Sequence, residues 1–210
     1  MSSKAGEFQG GYIADDFMVD GTDVGADTLQ GNAGDDGLVN TDGADSLWGA
    51  DGDDLIVSSA VCQGDTLGGG PGTDSSSWAQ YDTGSDPGTN YGVFANISTS
   101  NIGKNVGGAL NCGSSPTNSF DGFEDLEGSR HSDILRGDSG SNQLIGRATG
   151  DQLWSYQGAD RILANSADND NIDCGSETDH AVIDDTSNGS DIYTNCDGNV
   201  VPGDPIFVDG

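Results

Sequence analysis

The chain has 210 residues, 36 of them acidic and only 6 basic, and its formal net charge at pH 7 is −30. This charge repels the phosphates of nucleic acids and of anionic membranes, so neither is an expected partner. Apolar residues make up only 32% of the chain, too little to offset chain entropy unless a partner supplies positive charge, and Ca²⁺ is the partner that we expect.

The acidic residues are almost all aspartate, because glutamate stands only at Glu7, Glu124, Glu127 and Glu177. Disordered acidic segments favour glutamate, whereas aspartate tolerates turns and ligates hard cations. The 35 glycines fit the same interpretation, since tight turns need backbone angles that glycine adopts at little cost. The composition therefore indicates an ordered chain rich in turns.

We interpret residues 1–20 as a lead-in or an expression remnant, because Met1 to Phe8 lacks the apolar core of a signal peptide. No stretch of the chain approaches the roughly 20 apolar residues that a membrane span needs, so we expect no membrane insertion. Glycine or aspartate interrupts every window and no segment has a 3.6-residue period, so no helix is predicted. The expected fold class is all-β.

Residues 21–77 form the first predicted repeat block, in which an aspartate recurs every nine residues. A glycine stands two positions before each of the first four aspartates and an aliphatic residue two positions after it, as in Gly25, Asp27 and Leu29. The last two aspartates follow a two-residue insertion around Cys62. The frame residues of this block are Asp27, Asp36, Asp45, Asp54, Asp65 and Asp74. One carboxylate, one turn glycine and one buried apolar side chain per repeat describe a metal-stacked solenoid.

Residues 78–127 interrupt this frame and are predicted to be an inserted β segment. Apolar and polar residues alternate from Tyr91 to Ile97, which predicts a strand. A second strand is predicted through Phe120, Phe123 and Leu126.

The nine-residue frame resumes in residues 128–183, the second predicted repeat block, with a one-residue slip after Asp160. The frame residues of this block are Asp133, Asn142, Asp151, Asp160, Asp170 and Asp179. Residues 184–210 form a C-terminal segment that we expect a disulfide to staple.

Each repeat divides into a turn that ends in the frame residue and a short strand whose middle side chain points inward. Two repeats complete one turn of the coil, so frame residues 18 positions apart should stack. The expected pairs are Asp27 with Asp45, Asp36 with Asp54, Asp133 with Asp151, and Asn142 with Asp160. At a strand spacing of about 4.8 Å these carboxylates repel one another unless a cation lies between them. Carboxylates and turn carbonyls suit Ca²⁺ better than the stricter octahedron of Mg²⁺, so all twelve frame residues are predicted calcium ligands.

Some residues beside the inward aliphatics also carry a pattern. Val39 and Val57 fall in register on one outer sheet face, as do Ile145 and Leu163 in the second block. Because solvated faces seldom carry aliphatics in register, we expect the insert to cover these faces.

The opposite outer faces carry Trp48 and Trp154. These side chains are interpreted either as ligand platforms or as packing surfaces against the insert or a neighbouring domain.

Four cysteines, at positions 62, 112, 174 and 196, allow three disulfide pairings, and none has Cys-x-x-Cys spacing. The sequence-local choice pairs Cys62 with Cys112 and Cys174 with Cys196, each across irregular chain. Such disulfides imply an oxidising, extracytoplasmic location. Four reduced, buried thiols are the alternative.

Two repeats, residues 31–39 (GNAGDDGLV) and 49–57 (GADGDDLIV), resemble the nonapeptide GGxGxDxUx of haemolysin-type, or RTX, calcium-binding repeats. Residues 123–160 are similar to the entry segment of that family. The resemblance implies a right-handed parallel β-roll with several Ca²⁺ ions between successive turns, which folds after secretion into calcium-rich surroundings. The sequence departs from the pattern where the first two glycines are replaced, as at Asn40 and Thr41, and where Asn142 replaces an aspartate.

The sequence favours a secreted or cell-surface calcium-binding module that is not an enzyme. Gly137 to Gly140 (GDSG) imitates a protease nucleophile motif, but its place in a repeat explains it. The only candidate bases, His131 and His180, stand next to frame positions.

Two other functions stay open. The first is a lectin or adhesin that binds glycan or protein through Trp78, Tyr81 and Tyr91 of the insert or through the outer tryptophans. The second is the noncatalytic tail of a secreted hydrolase.

Overall fold

The computed structural model covers most of both repeat blocks and part of the insert. The residues it describes are 7–9, 17–19, 25–41, 43–59, 61–80, 92–106, 109–110, 112–113, 115, 117–164, 169–183, 191–196 and 201–202. Within them the regular structure is almost wholly β-strand, so the predicted all-β class is confirmed. No helix among these residues is long and apolar enough to cross a bilayer.

The chain forms a parallel β-solenoid in which successive strands of the repeats alternate between two sheets. The strands in chain order are β1 (Glu7–Gln9), β2 (Phe17–Val19), β3 (Thr28–Ala33), β4 (Gly37–Asn40), β5 (Ser46–Asp51), β6 (Leu55–Ser58), β7 (Thr66–Gly68), β8 (Ser75–Ser77), β9 (Val93–Asn96), β10 (Asn101–Val106), β11 (Ala109–Leu110), β12 (Asn118–Asp121), β13 (Asp125–Glu127), β14 (Ile134–Arg136), β15 (Gln143–Ile145), β16 (Gln152–Trp154), β17 (Arg161–Ala164), β18 (Asn171–Asp173), β19 (His180–Ile183), β20 (Ile192–Thr194) and β21 (Val201–Pro202). The first sheet has the order β1-β3-β5-β7-β12-β10-β9-β14-β16-β18-β20, with β11 paired to β10. The second has the order β2-β4-β6-β8-β13-β15-β17-β19-β21.

Aliphatic side chains at the strand centres stack into two ladders inside the solenoid. In the first sheet Leu29, Leu47 and Leu67 lie in register on β3, β5 and β7. In the second sheet Leu38 lies in register with Ile56. All five side chains are fully buried, and burial of one such side chain contributes about 1.5–3 kcal/mol. The inward position predicted two residues after each frame aspartate is thus the core of the fold.

The turns require glycine where the backbone is left-handed and close to the next turn. Gly52 has a φ of 142°, and a Cβ at this position would collide with the carbonyl oxygen of Gly34 in the turn below. Other residues reach such angles only at a cost. The glycine two positions before Asp54 therefore serves both the sharp bend and the close stacking of turns.

The described strands of the insert extend the ladder of the first sheet. Strand β9 is parallel to β14, whereas β10 runs antiparallel to both β9 and β12. In the second sheet β13 pairs directly with β8 and with β15. Between the turn formed by β12 and β13 and the turn formed by β14 and β15, the first sheet therefore holds two additional strands.

The strands predicted within residues 78–127 differ in detail. Strand β9 ends at Asn96, and Ile97 begins a 3-10 turn (Ile97–Thr99). The expected single strand through Phe120 and Leu126 is two strands, β12 and β13, because Gly122 adopts a φ of 68° between them. These two strands pair in parallel with β7 and β8 and so form a regular turn of the solenoid.

The outward aliphatics of the second sheet are shielded to different extents. Val39 and Leu163 are buried, and Val57 and Ile145 are half-buried. Strands β9 and β10 of the insert lie in the other sheet, so these two strands do not cover this face, and coverage by the rest of the insert stays a prediction. Strands β9 and β10 instead extend the hydrogen-bonded ladder of the first sheet between β12 and β14.

The tryptophans differ in how far they reach solvent. Trp48 is 42% exposed, and its ring lies so close to Gly68 that a Cβ there would collide with it. Trp154 is half-buried beneath Arg136, whose guanidinium carbon lies 4.8 Å from the indole centroid. Trp78 is fully buried, so it is not a surface contact for a ligand. Tyr81 and Tyr91 lie outside the described residues.

Two disulfides join Cys62 to Cys112 and Cys174 to Cys196. The sequence-local pairing is confirmed, and the alternative of four reduced thiols is wrong. The partners are 50 and 22 residues apart in sequence, so each disulfide restricts the unfolded chain across an irregular segment.

Neighbouring residues of β6 provide a test of the interior ladder. Ile56 is fully buried, whereas Leu55 is 44% exposed. In saturating Ca²⁺ we expect Ile56→Ala to lower the free energy of unfolding by about 2–5 kcal/mol, because it leaves a cavity in the core. The matched variant Leu55→Ala should change it by less than about 1 kcal/mol. Urea titration followed by circular dichroism measures both changes. Equal losses would contradict the assignment of Ile56 to the interior face of β6 and of Leu55 to its outer face.

Candidate metal centre

The frame residues stack in two columns along the solenoid, each at the entrance to the strands of one sheet. The first column contains Asp27, Asp45, Asp65, Asn118, Asp133, Asp151, Asp170 and Asp191. The second contains Asp36, Asp54, Asp74, Glu124, Asn142, Asp160 and Asp179. All twelve predicted frame residues are at most 5% exposed.

One type of hydrogen bond recurs between neighbours in a column. The backbone N–H of Asp27 donates to Oδ1 of Asp45 at 2.7 Å. The equivalent bonds, all at 2.8 Å, join Asp36 to Asp54, Asp133 to Asp151, and Asn142 to Asp160. The four pairs predicted from the 18-residue separation are therefore confirmed as stacked neighbours.

The columns also continue across the irregular spacings. Asp45 donates to Oδ1 of Asp65 at 3.0 Å across 20 residues, and Asp151 donates to Oδ1 of Asp170 at 2.7 Å across 19 residues. The insertion near Cys62 and the slip after Asp160 are thus absorbed within turns, and the frame residues return to register.

Three column members were missed by sequence reasoning, namely Asn118, Glu124 and Asp191. The rule that found the others also applies to two of them, because Asn118 stands two positions before Phe120 and Glu124 two positions before Leu126. Both apolar residues point into the core. A search restricted to aspartate at a nine-residue spacing overlooks them, since neither is aspartate and both lie within the predicted insert.

Some frame carboxylates carry an oxygen that the protein does not satisfy. Oδ2 of Asp54 and Oδ2 of Asp74 are buried and accept no hydrogen bond from the described residues. A Cβ at Gly49 would collide with the first of these oxygens, and a Cβ at Gly69 would meet the second together with the carbonyl oxygen of Gly122. An unpaired buried carboxylate oxygen is costly. These positions therefore fit oxygen ligands of a cation, and the first glycine of the repeat leaves room for the carboxylate.

Burial makes these carboxylates reluctant to ionise without a counter-charge. Burial raises the pKa of Asp74 to about 6; the backbone N–H of Asp54 opposes this rise, and the carboxylates of Asp54 and Glu124 add to it. Burial likewise raises the pKa of Asp54 and of Asp160, and raises that of Asp133 to about 7. A bound cation would favour the ionised form at each of these positions.

The oxygen atoms that could bind a cation here come from both side chains and the backbone. Within the described ranges, no three side chains of His, Cys, Asp or Glu are grouped so as to hold a metal ion. A site between two turns would therefore combine frame carboxylates with turn carbonyls, a combination that Ca²⁺ accepts because its coordination is flexible. The residues present fit calcium, and the assignment of the twelve frame residues as its ligands stays a prediction.

The GDSG tetrapeptide belongs to a repeat turn, as its position in the frame predicts. The backbone N–H of Asp138 donates to Oδ1 of Asn142 at 2.9 Å. Oδ1 of Asp138 accepts the N–H of Gly140 at 2.7 Å. The aspartate is thus used to close the turn that leads into β15.

A groove runs along the outside of the second block. It has a volume of about 270 Å³ and is lined by Trp154, Tyr156, Gln157, Asp173, Gly175, Ser176 and Asn195. Tyr156 is 43% exposed and has a φ of 75°, a left-handed conformation that is uncommon for a bulky residue. Asp173 is fixed by the Asn195 amide, which donates to its Oδ1 at 2.8 Å.

Comparison with known proteins agrees with the geometry of the columns. The model of the RTX calcium-binding nonapeptide repeat matches the chain in four copies, over residues 20–39, 41–60 and 127–162. No curated protein sequence matches it. The matched segments include frame residues of both columns.

The raised pKa values predict how the metal-free chain responds to pH. A carboxyl group that titrates near 6 or 7 when folded, and near 4 when unfolded, costs no stability below about pH 4 and its full penalty above about pH 7. We therefore expect metal-stripped protein to gain β signal in circular dichroism when the pH falls from 7.5 to 5, while its calcium affinity decreases. Asp74→Asn should reduce this gain. An unchanged spectrum in the parent chain would contradict the raised pKa values of the buried column carboxylates.

Proposed function

Because the chain carries RTX calcium-binding nonapeptide repeats, we propose that it is a secreted or cell-surface calcium-binding module that folds when several Ca²⁺ ions bind. The observation that carries this proposal is the pair of buried carboxylate columns. We call the space between two successive residues of a column an interval. Each interval lies between two neighbouring turns, so an ion bound there would hold the two turns together. Binding energy would then act as folding energy.

Calcium explains features that a metal-free solenoid would not need. A net charge of −30 opposes compaction, and the frame residues concentrate part of that charge in the interior. Because these side chains are buried from water, cations bound in the columns would neutralise this part of the charge. Since each turn would contribute to two successive intervals, binding should be cooperative.

An extracellular location suits both the disulfides and the metal. Disulfides persist in oxidising compartments, and the fold contains two of them. Extracellular calcium modules bind with Kd values of about 10⁻⁴–10⁻³ M, which would keep the calcium-dependent turns unfolded until they meet external calcium. We assign it a structural or interaction role and no catalysis.

A second candidate function is glycan binding, which the groove beside Trp154 supports. Aromatic walls with a few fixed polar groups are the usual composition of a small-molecule site. Trp154 and Tyr156 supply the walls, and Asp173 is held in place by Asn195. A sugar ring has an apolar face for the indole and hydroxyl groups for the carboxylate and the amides. In this role calcium would stabilise the scaffold that presents the groove.

Calcium titration tests the main proposal. Metal-stripped protein with intact disulfides should show a cooperative gain of β signal with Ca²⁺ and none with equal Mg²⁺. Asp54→Asn removes a column charge and should raise the calcium midpoint at least about tenfold. The matched control Asp51→Asn removes an exposed charge from β5 and should leave the midpoint nearly unchanged. A spectrum that excess chelator does not alter would falsify calcium-dependent folding.

A glycan array probed with the calcium-loaded protein tests the second candidate. Trp154→Ala and Tyr156→Ala should each abolish retention on any neutral oligosaccharide that the parent binds. Trp48→Ala, which removes an exposed tryptophan from the first block, should not reduce it. Absence of retention by the parent, or equal loss in all three variants, would count against the groove as a glycan site.

A further inference from the structure

Two asparagines interrupt the carboxylate columns, and both lie where the two repeat blocks meet. Asn118 is the fourth residue of the first column and is fully buried. Its Nδ2 donates to Oδ2 of Asp65 at 2.8 Å. Oδ1 of Asp65 already accepts the N–H of Asp45. Both oxygens of Asp65 are therefore satisfied by the protein, and an amide donor lies where a cation would lie in other intervals.

Asn142 does the same in the second column. Its Nδ2 donates to the backbone carbonyl oxygen of Glu124 in the preceding turn at 2.9 Å. Its Oδ1 lies over Gly137, the place that a carboxylate oxygen takes in other repeats, and accepts the N–H of Asp138 at 2.9 Å. Here the amide donor links two turns, the amide oxygen accepts within its own turn, and no buried charge needs compensation.

The intervals on either side are different. Oδ2 of Asp74, one turn before Glu124, and Oδ2 of Asp160, one turn after Asn142, are buried without a hydrogen-bond partner in the described structure. In the first column, the strands β9 and β10 separate Asn118 from Asp133. Asp133 is bound instead by the N–H groups of Val93 and Ser129, both at 2.6 Å. The intervals that fit calcium therefore lie on both sides of a middle region, whose own intervals do not fit calcium.

Aromatic rings pack together where this middle region meets the turn before it. Phe120 lies 6.5 Å from Trp78 and 5.6 Å from Phe123 between ring centroids. All three side chains are at most 2% exposed. The Cys62–Cys112 disulfide ties the turn before Asp65 to the segment that enters β12. Apolar burial and a covalent link act here regardless of metal.

We propose that this middle region, comprising residues 92–106 and 117–145, folds without calcium and nucleates the two calcium-dependent arms, residues 25–59 and 151–181. Amide hydrogen bonds close its intervals in place of the ion. This proposal rests on the proposed function, because the arms are defined by their calcium dependence. The disulfide-linked chain would then enter calcium-rich surroundings with a template on which each arm adds turns in parallel register.

Hydrogen exchange followed by mass spectrometry tests the proposal on the full chain with intact disulfides. In excess chelator, peptides of the middle region should exchange at least about tenfold more slowly than peptides of the arms. Saturating Ca²⁺ should protect the arms and change the middle region little. Uniform exchange of the whole chain in chelator would overturn the proposal.

Isosteric variants make the test specific. Asn142→Asp and Asn118→Asp replace the bridging amide by a carboxylate, so the middle region should lose protection in chelator at least about tenfold and regain it with Ca²⁺. The matched reverse substitution, Asp160→Asn, should leave the middle region protected in chelator. If the Asn142→Asp and Asn118→Asp variants stay protected without metal, the proposed role of the amides is overturned.

The same data separate this proposal from the proposed function. If calcium does not drive folding at all, the arms will exchange equally in chelator and in Ca²⁺. If calcium drives folding but the nucleus is absent, the arms and the middle region will both gain protection, to the same extent.

Discussion

The interaction on which the structure depends is the repulsion between carboxylates stacked inside the two columns. Consecutive turns of a parallel solenoid lie about 4.8 Å apart, so a residue type that recurs at one turn position is brought against copies of itself. In this chain that residue is aspartate at eleven of the twelve predicted positions, and all twelve side chains are at most 5% exposed. Backbone N–H groups satisfy one oxygen, as in Asp54 with the N–H of Asp36, but they do not remove the charge. The fold is therefore compatible with its own sequence only when protons, cations or amides occupy the intervals.

The same repetition explains why so much could be predicted from the sequence. A nine-residue period that places a glycine, a carboxylate and an aliphatic side chain at fixed offsets leaves little choice of conformation. Leu47 must point inward if Asp45 ends the turn, and Gly52 must bend the chain because its φ is one that glycine alone reaches cheaply. Stacking of residues 18 apart follows from two repeats per turn. Local spacing and global topology agree, which is the condition under which sequence patterns are informative.

Prediction failed where the period is absent. Strands β9 and β10 join the first sheet by an antiparallel connection, which no repeat frame specifies, and aliphatics in register at Val39 and Val57 do not reveal what lies beside them. Glu124 and Asn118 were missed for a chemical reason, because the position can be filled by any side chain that accepts the hydrogen bond from the preceding turn. The column is a geometric feature, and aspartate is only its most frequent occupant.

Aspartate and asparagine at a column position have nearly the same shape, so the choice between them decides mainly what closes the interval. A carboxylate leaves a buried charge that requires calcium or a proton, and the turn then depends on solution conditions. An amide supplies its own donor, as Asn142 does toward the carbonyl of Glu124, and the turn depends only on the chain. Aspartate on the arms and asparagine in the middle region thus differ by one buried charge per interval. Calcium can therefore control the arms without controlling the middle, because the dependence resides in individual intervals and not in the solenoid as a whole.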